Sequence, residues 1–268
     1  MVRYLNAVLG WRLQEVNLLM TSASLPDPIL ISTKTIPPEE RLIFALDVPG
    51  AAEAKRLVQT LGDSVQFYKL GLELFTAGGY FELVDWLLEQ DKKIFADLKL
   101  FDVPETVAAA VRQLRQRPIS FTTVHGNDGI LEAACRDKGD LKILAVTVLT
   151  SLDEGDLRDL GFTVDVHALV LSRARRALAI GCDGVISSGL EARALKESLG
   201  EKLLIVTPGI RPVANRPADD QKRVVDVEQA IRNGADYIVV GRPIRNAPDP
   251  YQAAMEIQGT LEGLFLSG

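Results

Sequence analysis

Asp97-Leu98-Lys99-Leu100-Phe101-Asp102 sets two acids and a lysine into an otherwise apolar stretch. Buried charge is costly unless it is paired, so this D-x-K-x-x-D spacing is either a structural ion pair or a functional array. A lysine flanked by carboxylates stays cationic. Such an ammonium can stabilise negative charge developing on a substrate atom and then hand over its proton. Asp47 and Lys69 stand at the ends of two earlier apolar runs, Leu42–Leu46 and Val65–Leu70. One such charge is ordinarily a rim salt bridge of little consequence. Asp47, Lys69, Asp97 and Lys99, at the ends of three successive runs, point instead to one site. Asp102 follows as a fifth charge.

A second group has phosphate chemistry. Thr207-Pro208-Gly209-Ile210-Arg211 and Val239-Val240-Gly241-Arg242 each end an apolar run in glycine and arginine. Glycine admits a phosphate close to backbone N–H groups, and a guanidinium fork suits its oxygens. Either motif alone is also what a tight turn with a surface arginine looks like. The polar stretch Pro212 to Arg223 reads equally as a surface loop or a lid, and in the second case Gln221 would close on the phosphate. His125 ends an apolar run and is expected as a hydrogen-bonded pocket wall, whereas His167 falls in a helical stretch. With no carboxylate at metal-ligand spacing, no zinc site is expected.

Positioning these residues takes a repeated frame. From Arg41 onward, short β-type runs alternate with helical ones. The strand candidates are Leu42–Leu46, Val65–Leu70, Lys93–Leu98, Phe121–His125, Leu141–Val148, Gly184–Ser187, Leu203–Val206 and Tyr237–Val240. Helical stretches include Ala51–Leu61, Tyr80–Glu89, Glu105–Gln116, Val164–Ala179, Glu191–Leu199 and Pro250–Leu264. Runs rich in Val, Ile, Leu and Phe suit parallel strands buried on both faces. Eight βα units predict an α/β protein with a closed (β/α)8 TIM barrel, one domain over residues 41–268. A doubly wound sheet would show G-x-G-x-x-G after the first strand, where this chain reads Asp47-Val48-Pro49-Gly50. In such barrels the active site lies at the carboxyl ends of the strands. Strict alternation along the third strand would put Asp97 and Lys99 on one face and Ala96 and Leu98 on the other.

Residues 1–40 differ in character and are expected to form a flexible or loosely docked extension, with Thr21 to Pro38 reading as linker. Arg3, Arg12 and Glu15 break up its apolar patches, which argues against a targeting peptide. Lys plus Arg number 30 against 36 Asp plus Glu, a net charge of −6 that argues against a nucleic-acid surface. No apolar run approaches the ~18 residues of a membrane span. Cys135 and Cys182, distant in sequence and without C-x-x-C company, suit reduced thiols of a cytoplasmic protein.

Leu46-Asp47, Tyr68-Lys69-Leu70-Gly71, Asp97 through Pro104, Val146 through Ser151, Thr207 through Arg211 and Val240-Gly241-Arg242 together resemble the bacterial orotidine 5′-phosphate decarboxylase family. The resemblance runs in family order from Leu42 to Met255, and only His125-Gly126-Asn127-Asp128-Gly129 departs from the usual pattern. It implies decarboxylation of orotidine 5′-phosphate to UMP, the last step of pyrimidine nucleotide synthesis, with no cofactor and no metal. By the same resemblance Lys99 would protonate C6 of the pyrimidine, with Asp97 against the departing carboxylate and Lys69 and Asp102 completing the charged array. Asp102 would serve the partner's site in a homodimer. Asp47, Thr106 and Thr150 would hold ribose or base, and Arg211, Gln221, Gly241 and Arg242 the phosphate. The competing readings are a magnesium-dependent sugar-phosphate decarboxylase or synthase of the same suprafamily, and a non-catalytic phosphate-binding barrel. In the magnesium enzymes an acid would be expected where Lys69 stands.

Overall fold

A computed structural model describes residues 29–211 and 225–266. Eight parallel strands close into a barrel in chain order: β1 Leu42–Ala45, β2 Phe67–Leu70, β3 Lys93–Leu100, β4 Phe121–His125, β5 Lys142–Val146, β6 Gly184–Ile186, β7 Leu204–Thr207 and β8 Tyr237–Val240. β1 closes the ring by pairing with both β2 and β8, Ile43 opposite Phe67 on one side and Val239 on the other. The helices expected from sequence are present with ends shifted by no more than two residues, among them Ala51–Leu61, Pro104–Leu114 and Val166–Ile180.

Alternation along the strands divides the apolar side chains into two layers. Leu42, Phe44, Tyr68, Leu70 and Ile94 point outward into the shell of helices. Ile43, Phe67, Phe95, Phe121, Leu144, Val206 and Tyr237 point inward and fill the barrel. Phe67, Phe121 and Tyr237 meet there in tilted or edge-on pairs, with ring centroids 5.0, 5.9 and 5.2 Å apart. The barrel is therefore a packed core and not a pore. Packing is tight enough to require glycine at the start of β6. A Cβ on Gly184 would lie 2.6 Å from the Leu204 carbonyl oxygen and 2.8 Å from Leu144 Cδ2.

The described end of the N-terminal extension, residues 29–40, is docked against the opposite end of the barrel rather than loose. Asp236, fully buried, accepts from Ser32 Oγ, from the Ile205 backbone N–H at 2.8 Å and from Lys34 Nζ at 2.8 Å. Glu201 accepts from the Thr33 N–H at 3.1 Å and from Lys34 at 2.9 Å. Arg41 donates to the carbonyls of Asp236 and Lys34 and stacks 3.7 Å over the Phe265 ring. Composition alone reads this segment as linker because the anchoring acids, Glu201 and Asp236, are remote in sequence. Cys135 and Cys182 are free thiols whose sulfurs lie 3.5 Å apart, contiguous in space though distant along the chain. No described helix is long and apolar enough to cross a membrane.

Candidate active site

The carboxyl ends of β1, β2 and β3 place their charges side by side. Register sets Ala45 opposite Lys69 and Lys69 opposite Phe95, so the next inward positions on β1 and β3 fall around the Lys69 ammonium. Lys69 Nζ lies 3.1 Å from Asp47 Oδ1 and 3.5 Å from Asp97 Oδ2. Lys99 Nζ donates to both Asp97 oxygens at 2.9 Å. The result is an acid–lysine–acid–lysine chain. Its inner members are enclosed, with the Lys69 and Asp97 side chains 12% and 11% exposed, while those of Lys99 and Asp47 are 36% and 49% exposed. The outer pair can therefore reach a ligand, and the inner pair holds them in place.

Burial works against both inner charges, and their partners overcome it. Desolvation pulls the Lys69 ammonium down, yet Asp97 and Asp47 hold its pKa above the ordinary lysine value. Desolvation likewise pushes the Asp97 carboxyl up, yet Lys69, Lys99 and hydrogen bonds from Lys99 and Thr123 hold it below the usual carboxylate range. For the inner pair, Lys69 and Asp97, the ionised form is thus the stable one at neutral pH.

The route by which Asp97 and Lys99 reach the mouth differs from simple alternation. β3 and β4 pair at Ala96–Thr122 and again at Leu100–Val124, with a register shift between. Three residues of β3, 97 through 99, therefore face Thr123 alone. Lys99 takes φ +45°, in the left-handed region that side chains larger than glycine seldom adopt. A bulge of this kind re-aims a side chain at a barrel rim. The expected shared face is reached, but through this irregularity.

A cavity of about 540 Å³ opens over the array. Its walls include Asp47, Lys69, Asp97 and Lys99 on one side, Thr150 and Ser151 after β5, and Arg211, Gly241 and Arg242 across the mouth. That volume is in the range that encloses a small-molecule ligand. Arg211 is nearly buried and donates to its neighbour's carbonyl, Ile210 O, at 3.0 Å. Gly241 sits close to β1, with room for a Cβ only 3.2 Å from that of Ala45.

Two expected residues lie elsewhere. Asp102 and Thr106 are exposed beside the mouth and do not line the cavity. Asp102 Oδ1 accepts from the Val103 N–H at 2.6 Å, and its neighbours Phe101 and Val103 are apolar side chains 69% and 63% exposed. Gln221 and the loop around it lie outside the described residues. His125 is not a wall of this cavity. It lines an adjacent recess with Arg173 and Arg176, edge-on to Phe101 at 5.4 Å, and its buried Nδ1 has no hydrogen-bond partner among the described residues. Burial, then Arg173 and Lys99, hold its pKa below the usual imidazole value. A strand-terminal histidine leans toward whichever loop covers it, and here that is the loop after β3.

Arg245, Glu73 and Thr123 also belong to the site, though no motif in the sequence marks them. Arg245 lines the cavity and donates to the Asp47 carbonyl, tying the exit of β8 to that of β1. Its signal was helical spacing, three residues beyond Arg242 in the turn Arg242–Arg245. Glu73 stands in the helix Leu72–Thr76 directly after β2. Among the described residues no group of three or more His, Cys, Asp or Glu side chains is placed to hold a metal ion.

A closed (β/α)8 barrel with a lysine–carboxylate array and three arginines around one cavity at its strand ends is a barrel enzyme by architecture and by site. A family model described as the orotidine 5′-phosphate decarboxylase / HUMPS family matches residues 40–257, and the chain belongs to that family. It is 64% identical over 241 residues to the orotidine 5′-phosphate decarboxylase of Methylococcus capsulatus, covering 90% of this chain and all of that protein. The enzyme of the same name from Xanthomonas euvesicatoria is 52% identical over 82% of this chain and 90% of its own length. The crystal structure of orotidine 5′-phosphate decarboxylase from Lactobacillus acidophilus superposes with a TM-score of 0.74 at 36% identity, covering 83% of this chain and 99% of that one.

Proposed function

We infer that this chain converts orotidine 5′-phosphate to UMP and carbon dioxide, the closing step of pyrimidine nucleotide synthesis. The observation that carries the reading is the Asp47–Lys69–Asp97–Lys99 chain, whose outermost ammonium is the exposed one. Breaking the C6–carboxylate bond leaves an electron pair in an in-plane orbital at C6 that the ring delocalises poorly. Most decarboxylases send such electrons into a cofactor. Here a fixed cation does that work. Lys99 faces C6, stabilises the carbanion as it forms, and protonates it to give the C6–H bond of UMP.

Asp97 lies against the substrate carboxylate and holds the Lys99 ammonium by two hydrogen bonds at 2.9 Å. Lys69 fixes Asp97 from behind and, with Asp47, meets the ribose, while Thr150 meets the base. Arg211, Gly241 and Arg242 take the phosphate, joined by Gln221. Binding energy gathered at that remote group is available to the chemical step.

The enzyme is a cytoplasmic homodimer in which Asp102 enters the partner's site, with Thr106 beside it to hold ribose or base. Their outward placement beside Phe101 and Val103, two exposed apolar side chains, supports this. The substrate, a soluble nucleotide, supports the location.

Loss of the orotate ultraviolet absorbance on conversion to UMP by purified protein tests the activity, and a protein that binds the nucleotide without turnover refutes it. Mixing Lys99→Ala with Asp102→Ala subunits tests the shared site. Heterodimers should regain activity, and complete absence of complementation would refute sharing. Turnover should persist in EDTA, because a cation beside the Lys69 ammonium is repelled; strict magnesium dependence would favour the sugar-phosphate branch.

A further inference from the structure

β4 carries two consecutive threonines, both with no exposure. A buried hydroxyl needs partners. Thr122 points outward and donates to the Ala96 carbonyl at 2.9 Å. Thr123, on the inward face with Phe121, has a different pair of partners. It donates to Asp97 Oδ1 at 2.8 Å and accepts from the Lys99 backbone N–H at 2.9 Å. One hydroxyl can do both, having one hydrogen to give and lone pairs to receive with. Thr123 does not line the cavity and so touches no ligand there.

Its place in the register explains why these two bonds matter. Thr123 is the single β4 residue opposite the excursion Asp97-Leu98-Lys99. Within that excursion the Lys99 N–H is turned away from the ordinary ladder, and the Thr123 hydroxyl substitutes for the missing acceptor. Lys99 is held at φ +45°, which a lysine keeps only where its surroundings over-determine it. The same oxygen orients the Asp97 carboxylate, whose other contacts are the two ammonium groups.

We propose that Thr123 is a positioning residue of the decarboxylation site: its hydroxyl pins the β3 bulge and thereby aims both the Asp97 carboxylate and the Lys99 ammonium at the reacting carbon. The proposal rests on the decarboxylase reading above. Without the hydroxyl, the bulge is free to relax toward regular strand, and the lysine swings off the direction of C6. Substrate binding, carried largely by the phosphate side of the mouth, changes little.

The test compares Thr123→Val, which keeps the shape and removes the hydroxyl, with Thr123→Ser, which keeps the hydroxyl. In steady-state turnover of orotidine 5′-phosphate, Thr123→Val should lower kcat by about 10- to 100-fold, the usual worth of a hydrogen bond to a charged group, and leave KM within about threefold. Thr123→Ser should stay within about threefold of the parent. The acid limb of the kcat–pH profile should move upward in Thr123→Val only, since Asp97 loses a donor that favours its ionised form. Parental kcat and an unmoved acid limb in Thr123→Val would overturn the proposal. Equal losses in the serine and valine variants would also overturn it, by assigning the effect to packing. If Thr123→Val does not fold, Thr123→Ala against Thr123→Ser carries the same comparison. Should the parent protein itself fail to decarboxylate the nucleotide, the functional reading falls, and positioning is judged by crystal structures. A Thr123→Val or Thr123→Ala structure that keeps Lys99 at positive φ and bound to Asp97 overturns it, while relaxation of residues 97–99 supports it.

Discussion

Replacing each lysine of the array separately should split catalysis from stability. Lys99 is the outer member, 36% exposed, and its ammonium sits 2.9 Å from Asp97. Presented to a carbanion at a like distance, a full positive charge is worth about 6 kcal/mol at an effective dielectric near 20. At 1.36 kcal/mol per decade that alone is about four powers of ten in rate, before any contribution from proton transfer. Lys99→Ala should therefore lower kcat/KM for orotidine 5′-phosphate by about 10⁴-fold or more. Its cost in stability should be small, about 0–1 kcal/mol as for exposed ion pairs, because Asp97 keeps Lys69.

Lys69 is the opposite case: enclosed, bound to both Asp47 and Asp97, and one of the two cations that offset burial of the latter. Lys69→Met breaks a buried pair and should cost up to about 3–5 kcal/mol, a fall in Tm of about 6–20 °C for a domain of this size. Continuous ultraviolet assays read the first effect and thermal melts the second. A Lys99→Ala protein with an unchanged melt and kcat/KM within about 100-fold of the parent would refute the electrostatic assignment. Equal melting losses in the two variants would refute the division into outer and inner charges.

Arg242→Ala should raise KM and lower kcat/KM by about 10- to 100-fold with unaltered circular dichroism; an unchanged KM would remove Arg242 from the phosphate site. Gly184→Ala should destabilise by about 1–3 kcal/mol in denaturant melts, since its Cβ meets the Leu204 carbonyl, which cannot yield as a side chain can, as well as the Leu204 and Leu144 side chains; a parental midpoint would refute tight packing there. Glu201 anchors residues 33 and 34, and although burial opposes its ionisation, hydrogen bonds from Lys196, Thr33 and Lys34 bring its pKa from 4.5 to about 2. A carboxyl depressed in the folded state contributes stability above its ordinary pKa and loses it as pH falls toward the folded value. The Tm difference between parent and Glu201→Gln should accordingly be constant above about pH 4.5 and shrink toward pH 2, and a gap that does not change with pH would refute the anchor.

What could be read ahead of the coordinates followed from burial. Parallel strands shielded on both faces announce themselves as short apolar runs, and all eight were placed within two residues of their ends. Charges that interrupt such runs at their carboxyl ends must meet at the mouth, which made Asp47, Lys69, Asp97 and Lys99 legible as a group. The bulge was not legible. Lys99 is neither glycine nor asparagine, and nothing in Asp-Leu-Lys announces a left-handed residue; the cause sits on β4, in Thr123. Non-local causes also hid the docking of residues 29–40, which depends on Glu201 and Asp236, and the turn of His125 toward Phe101. Asp102 and Thr106 were grouped with the site by resemblance, and a single chain leaves them facing outward.

The placement of strain and charge has a common logic. An array with two ammonium groups and two carboxylates is electrically balanced, so folding it into the barrel mouth leaves no isolated buried charge. Balance alone would also make it inert. On the proposed reading a substrate carboxylate arriving beside Asp97 sets two like charges together, and that repulsion is relieved when carbon dioxide leaves and the remaining negative charge settles on the carbon facing Lys99. The site is therefore more complementary to the carbanion than to the bound acid, which is the condition for lowering a barrier. That complementarity requires Lys99 to lean on Asp97 without being drawn inward as Lys69 is. The bulge meets the requirement: it lifts Lys99 outward while Asp97 stays enclosed, so that of two lysines bound to one carboxylate one is enclosed and the other is open to the cavity.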